Sequence, residues 1–227
     1  MAEVNSVGKL AVFYAKYPTI AALAKLVPGG SSFDTLIQRR ANEIKDARSY
    51  EFFEELADGR IELTDEIVAT ENFIHAFECT MRSGLRARQR RKTRMFARIL
   101  TASADPATAL PVDQVEELVS TLEALSEREF ALLVKLRGFE RANQRGEKEN
   151  ELQWVSRYWI EFSKEAQEQY NVDQDTFRAL MSRMQRTGLY QEITGIFFDY
   201  EGGLGMTTPL LEDLLAIVTG PELQTTV

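Results

Sequence analysis

The sequence predicts a mostly α-helical protein with a helical N-terminal domain and a C-terminal domain whose helices are closed by one small β-hairpin. Three observations predict it. Apolar residues recur at helical spacing along most of the 227 residues, and strand-like alternation is scarce. Helix-start signals, S-x-x-E and Thr-Pro among them, precede the apolar runs. Charge divides the chain: residues 1–106 carry a net +2 and residues 107–227 a net −10, within a total of −8.

In chain order, Leu10 to Val27 is apolar but interrupted by Lys16, Pro18 and Lys25. A membrane span needs about 20 mostly apolar residues, so this stretch predicts one or two short amphipathic helices, with contact at a membrane surface as the minor alternative; no membrane partner is expected. Ile20 to Leu26 reads as one of them, stopped by Pro28-Gly29-Gly30. Ser31 or Ser32 can cap a helix carrying Phe33, Leu36 and Ile37. From Ile44 the apolar positions Phe52, Phe53 and Leu56 recur at helical spacing, and Gly59 suits the C′ position. Asp65 to Met81 reads as one helix with Ile67, Ile74, Phe77 and Met81 as its stripe. A basic block follows, then Met95, Phe96, Ile99 and Leu100. Ala102 to Pro111 is rich in Ala, Thr, Ser, Asp and Pro, and reads as the linker between domains 1–106 and 107–227.

Beyond the linker, Asp113 can cap a helix bearing Val115, Leu118, Leu122 and Leu125. Ser126-Glu127-Arg128-Glu129 fits a capping box ahead of Phe130, Leu132, Leu133 and Leu136. Asn143 to Asn150 is a polar loop. Trp154, Tyr158, Trp159 and Phe162 form a wide aromatic helix face, read as core or as a subunit interface. Asp173 caps a helix with Phe177, Leu180, Met181 and Met184 on one side, and Gly188 ends it. Ile196 to Tyr200 is the clearest strand, Glu201-Gly202-Gly203 its turn, and Leu204 to Met206 its return. Thr208-Pro209 opens the last helix, with Leu210, Leu211, Leu214, Leu215 and Val218, and Gly220-Pro221 stops it.

Arg82, Arg86, Arg90, Arg94 and Arg98 recur every four residues. On one helix they would make a slowly winding cationic stripe about 24 Å long, broadened by Arg88, Arg91 and Lys92. Gly84 weakens the helix by about 1 kcal/mol relative to Ala, so the stripe is expected to begin at Arg86. Like charges four apart repel by a few tenths of a kcal/mol per pair, so something anionic should neutralise them. The candidates are the acidic C-terminal half, in cis or across a dimer, a nucleic-acid backbone, or solvent and small anions.

Chemistry is harder to find. The single cysteine, Cys79, excludes an internal disulfide and suits a reducing compartment. No secretory leader is evident, and a cytoplasmic location is expected. Cys79 and the single histidine, His75, share a helix face at i, i+4. Two such ligands do not make a structural zinc site, so the face reads as partly packed core, with no metal or other cofactor. Adjacent carboxylates such as Glu54/Glu55 and Glu116/Glu117 point apart on a helix and read as solvated. No phosphate-binding loop, dinucleotide fingerprint or nucleophile elbow occurs. The chain reads as a non-enzymatic binding protein.

Two stretches carry a resemblance. "VDQDTFRALMSRMQRTGLY", Val172 to Tyr190, resembles the recognition helix of a winged-helix module and its exit. "YEGGLGMTTPLLEDLL", Tyr200 to Leu215, resembles the glycine wing and the start of its closing helix. The resemblance implies a winged-helix-like C-terminal domain in a DNA-binding regulator, expected to be dimeric. Gln174, Arg178, Arg183, Gln185 and Arg186 would face duplex DNA, supported by Arg86, Arg90 and Arg94. The wing departs from the pattern: it carries Asp199 and Glu201 and no cation. The rival reading is a protein-interaction or scaffold module whose arginine stripe pairs with carboxylates. "LVPGGSSFDTLI" and "FIHAFECTMRSGLRARQRRKTRMFARIL" resemble the N-terminal part of bacterial helical proteins without an established activity.

Overall fold

The computed structural model describes residues 35–59, 63–106, 110–193 and 203–219, with Ala15 and Pro18. The helix expected over Ile20 to Leu26 and its stop, the Ser31/Ser32 cap, the strand Ile196 to Tyr200, its Glu201-Gly202 turn and the Gly220-Pro221 stop lie outside these residues. The described chain is mostly helical with one small antiparallel hairpin, as expected. It forms two compact units, Met1–Glu123 and Ala124–Val227.

The first unit is built from α1 (Thr35–Asp58), α2 (Asp65–Val68), α3 (Glu71–Arg86), α4 (Arg90–Ala104) and α5 (Val112–Ala124). The helical spacing read before and after Ile44 lies on one continuous helix, α1. Its Phe52, Phe53 and Leu56 are buried with Phe77 of α3 and Met95, Phe96, Ile99 and Leu100 of α4. Phe52, Phe53 and Phe77 form an aromatic cluster with centroids 5.7–6.5 Å apart.

Two breaks correct the sequence reading. The helix expected over Asp65 to Met81 is cut at Thr70, whose hydroxyl accepts the Phe73 N–H at 3.3 Å and so starts α3 afresh. The new register buries Phe73, Ala76, Phe77 and Met81 and leaves Ile74 exposed. The second break, at Ala87–Gln89, divides the arginine series: Arg82 and Arg86 lie on α3, and Arg90, Arg94 and Arg98 on α4. A single helix through this block would carry an uninterrupted run of like charge. The corner instead folds two apolar faces onto one core. The Thr93 hydroxyl donates to the Gly84 carbonyl at 3.0 Å across it. Gly84 is therefore a point of close approach: a Cβ there would sit 3.0 Å from the Phe52 ring.

The unit boundary also differs from the expected linker. α4 continues through the small residues to Ala104, and α5, with Val115, Leu118, Val119 and Leu122 buried, belongs to the first unit up to Glu123. The division falls at Glu123 rather than residue 106.

The second unit contains α6 (Glu127–Ala142), α7 (Glu151–Tyr170), α8 (Gln174–Gln185), β1 (Tyr190–Glu192), β2 (Gly205–Thr207) and α9 (Pro209–Val218). The Ser126/Glu129 capping box forms as the sequence predicts. Asn150 and Gln153 form a second, and Asp173 caps α8. α7 ends at Asn171 in the left-handed region, φ 47°. β1 and β2 pair with Tyr190 opposite Thr207 and Glu192 opposite Gly205. The expected return strand thus pairs with the residues just after Gly188. Thr208 does not cap α9 through its side chain; its hydroxyl donates to the Gly188 carbonyl at 2.6 Å.

Buried Glu140 ties α6 to the hairpin. It accepts the Thr207 N–H at 2.6 Å and the Thr207 hydroxyl, and pairs with Arg137 at 3.0 Å. Arg137 also reaches Glu212 of α9.

Candidate functional site

Three places concentrate chemistry: the arginine stripe, the groove beside α8, and the point where α3 meets α5.

The stripe on α4 is neutralised within the chain. Arg94 pairs with Glu51 at 2.8 Å and lies 3.9 and 4.0 Å from Glu54 and Glu55. Arg90 reaches the other Glu51 oxygen at 3.1 Å, and Arg98 meets Glu55 at 2.5 Å. Burial works to lower the Arg94 pKa, but hydrogen bonding and charge from Glu51, with Glu55 and Glu54, hold it above its ordinary range. The stripe is countered by carboxylates, as one reading expected, but they come from α1 and not from the acidic C-terminal half. Glu54/Glu55, read as a solvated pair, face these cations. On α3, Arg82 pairs with Glu78, while Arg86 is exposed.

Along α8 the apolar face of Phe177, Met181 and Met184 is buried, and Gln174, Arg178, Ser182, Gln185 and Arg186 are exposed. Gln174 accepts a hydrogen bond from Gln167 at 2.9 Å. Arg183 is engaged: its Nε lies 3.0 Å from Glu129 in an ion pair, and the Glu129 side chain is 2% exposed and also receives the Ser126 N–H. A groove runs beside α8. Trp159, Phe177, Met181 and Tyr190 form its floor, with Gln174, Arg178, Ser182 and Glu192 at its edge.

The aromatic face of α7 is core, which corrects its assignment as a subunit interface. Tyr158, Trp159 and Phe162 are buried within the second unit. Trp159 packs on Phe177 and Tyr190 with centroids 6.4 Å from each, and Phe162 lies 5.9 Å from Phe177. Trp154 is half-buried and donates its indole N–H to the Asn143 carbonyl. Tyr158 and Phe162 are thus unavailable to a second copy, while Trp159 keeps a small exposed edge toward the groove beside α8.

At the third place, His75 Nε2 lies 2.6 Å from Glu116 Oε1 and 3.6 Å from Cys79 Sγ. One ligand atom from each residue falls within 4.8 Å of the others. Burial pushes the Cys79 thiol above its ordinary pKa, and the nearby Glu116 carboxylate adds to that, against Arg82. Spacing brought His75 and Cys79 together on one helix face. Glu116, forty-one residues from His75, carried no sequence signal as their partner.

Among the described residues, no helix is long and apolar enough to cross a membrane. Compared with known proteins, the chain matches no protein family, no curated protein and no solved structure.

Proposed function

We propose that this chain is a non-catalytic binding protein that engages a partner protein through the groove beside α8, with its arginine stripe serving as an internal clamp. The observation that carries the reading is the pairing of Arg90, Arg94 and Arg98 with Glu51, Glu54 and Glu55. A nucleic-acid binder needs cations free to displace the counterions of phosphates, whereas Arg94 and Arg98 are held by carboxylates and the more exposed Arg90 shares Glu51 with Arg94. The unit holding α8 has 17 carboxylates against 11 Lys and Arg, a field that repels DNA at long range. An aromatic floor beneath a polar edge suits a protein side chain better than a phosphate backbone.

A second reading, a winged-helix regulator, has one observation in its favour. Gln174, Arg178, Gln185 and Arg186 stand exposed along α8, a helix followed by a hairpin and a closing helix.

Two measurements separate these readings. In an anisotropy titration with duplex DNA at low salt, the expected result is no binding at micromolar protein. Salt-dependent binding, lost on Arg178→Glu with Arg186→Glu, would establish the second reading instead. A photoreactive residue at Ser182 should trap a protein in a cell extract, and Arg178→Glu should abolish that capture. Capture unchanged by Arg178→Glu, or no protein captured, rejects the groove.

A further inference from the structure

We propose that His75, Cys79 and Glu116 form a binding site for a single divalent transition-metal ion of the zinc class, which joins α3 to α5. The site belongs to the first unit and does not rest on the reading of the α8 groove.

Donor chemistry comes first. A neutral imidazole nitrogen, a thiolate and a carboxylate are the three protein ligand types that zinc takes. His75 and Cys79 are four residues apart on α3, so the helix presents both to one side, and Glu116 meets them from α5. Two secondary-structure elements contribute, as a metal clip between helices requires.

Distances come second. With Zn–S near 2.3 Å and Zn–N near 2.05 Å, tetrahedral geometry separates sulfur from nitrogen by about 3.6 Å. Cys79 Sγ and His75 Nε2 are 3.6 Å apart. The same geometry separates nitrogen from carboxylate oxygen by about 3.3 Å. Glu116 Oε1 is now hydrogen-bonded to Nε2 at 2.6 Å and would withdraw by about 0.7 Å. Glu116 is exposed, so this adjustment meets no packed neighbour. The fourth position falls to water.

The arrangement also argues against the other chemistry these residue types suggest. A Cys-His-carboxylate relay needs the thiol on one ring nitrogen and the carboxylate on the other. Here both face Nε2. One nitrogen cannot serve as base toward the thiol while the carboxylate occupies it. Three donors of the types zinc takes, with their ligand atoms within 4.8 Å of one another, instead suit a coordinated ion once Glu116 shifts toward it.

The test uses the full chain and cobalt(II) as a spectroscopic stand-in for zinc. Titration should give one equivalent bound, a sulfur-to-cobalt charge-transfer band and d–d bands of tetrahedral intensity, all displaced by zinc. Cys79→Ser should abolish the charge-transfer band. Glu116→Gln, on an exposed side chain, should weaken binding by more than about tenfold, since loss of even an outer-shell partner costs that much. Zinc should raise the melting temperature in a concentration-dependent way. The proposal fails if no charge-transfer band forms at micromolar protein, or if the band survives Cys79→Ser. It also fails if Glu116→Gln binds as tightly as the parent. Should Cys79→Ser not fold, the Glu116→Gln affinity decides.

Discussion

Arg94 directs both Nε and Nη2 to a single oxygen of Glu51, at 2.9 and 2.8 Å. The other oxygen of that carboxylate meets Arg90 at 3.1 Å. The Glu51 side chain is only 9% exposed, so its charge has been moved out of water and depends on these partners. The cationic density of α4 and the carboxylates of α1 are two halves of one helix–helix contact.

Arg94→Glu should therefore act on folding. It would set a fourth carboxylate among Glu51, Glu54 and Glu55. The expected loss is about 2–3 kcal/mol, below the cost of breaking a fully buried pair because Arg94 keeps some solvent contact. Arg86→Glu, on an exposed side chain at the end of α3, should cost less than about 1 kcal/mol. Urea denaturation of the two variants provides the comparison. Equal stabilities would show that the contact contributes little.

Gly205 is set by a different constraint. It pairs with Glu192 in the hairpin, and the Tyr190 ring lies over it so closely that a Cβ would overlap the hydroxyl end of the ring. Tyr190 cannot move aside freely, because its ring is stacked on Trp159. Gly205→Ala should destabilise the second unit by about 1–3 kcal/mol through overpacking. In a Tyr190→Ala background the same substitution should cost much less, and this double-mutant cycle checks the cause. An additive result would place the effect elsewhere.

What could be read from the sequence was mainly local. The Ser126/Glu129 box, the Asp173 cap and the apolar faces of α4 and α6 each depend on residues within a few positions, and all formed; on α9, Leu211, Leu214, Leu215 and Val218 are buried but Leu210 is exposed. The cut at Thr70 is also local, but the apolar spacing across it mimicked one helix. Glu51 and Glu116 were different. Their partners lie about forty residues away, and nothing in the spacing of charges states which helix will face which. The same ignorance of packing made the α7 aromatics look available to a second subunit. Gly84, read as a weak point, is small because Phe52 approaches it.

Asp173 gives the α8 cap a pH dependence. Its carboxylate accepts the Thr176 N–H at 2.7 Å, and this hydrogen bond holds its pKa below the ordinary carboxylate value. A depressed folded-state pKa contributes stability above the unfolded-state value and loses it as pH falls through the folded one. The start of α8 should thus loosen only at pH below the usual aspartate range. In an NMR titration the Thr176 amide should shift with that low midpoint. Asp173→Asn, which keeps a capping oxygen without a titrating proton, should flatten the curve. A midpoint at the ordinary aspartate value would mean that the cap is not formed in solution.

Tyr158 carries the least intuitive expectation. It is 1% exposed, and its hydroxyl finds no hydrogen-bond partner among the described residues. Burial, with the Glu140 carboxylate nearby, pushes its pKa far up, so the hydroxyl stays neutral. The ring itself is well used, at 5.7 Å from Trp154 and 6.4 Å from Phe139. A buried hydroxyl without a partner costs about 1–3 kcal/mol, whereas an apolar replacement of the same shape can be neutral or better. Tyr158→Phe preserves the ring and removes that cost, so it should leave stability unchanged or raise it by up to about 1 kcal/mol. Tyr158→Ala, which empties the site, should lose about 3–5 kcal/mol. Thermal and urea unfolding measure both. A loss above about 1 kcal/mol in Tyr158→Phe would mean that the hydroxyl makes a hydrogen bond in solution, and the unpartnered assignment would be wrong.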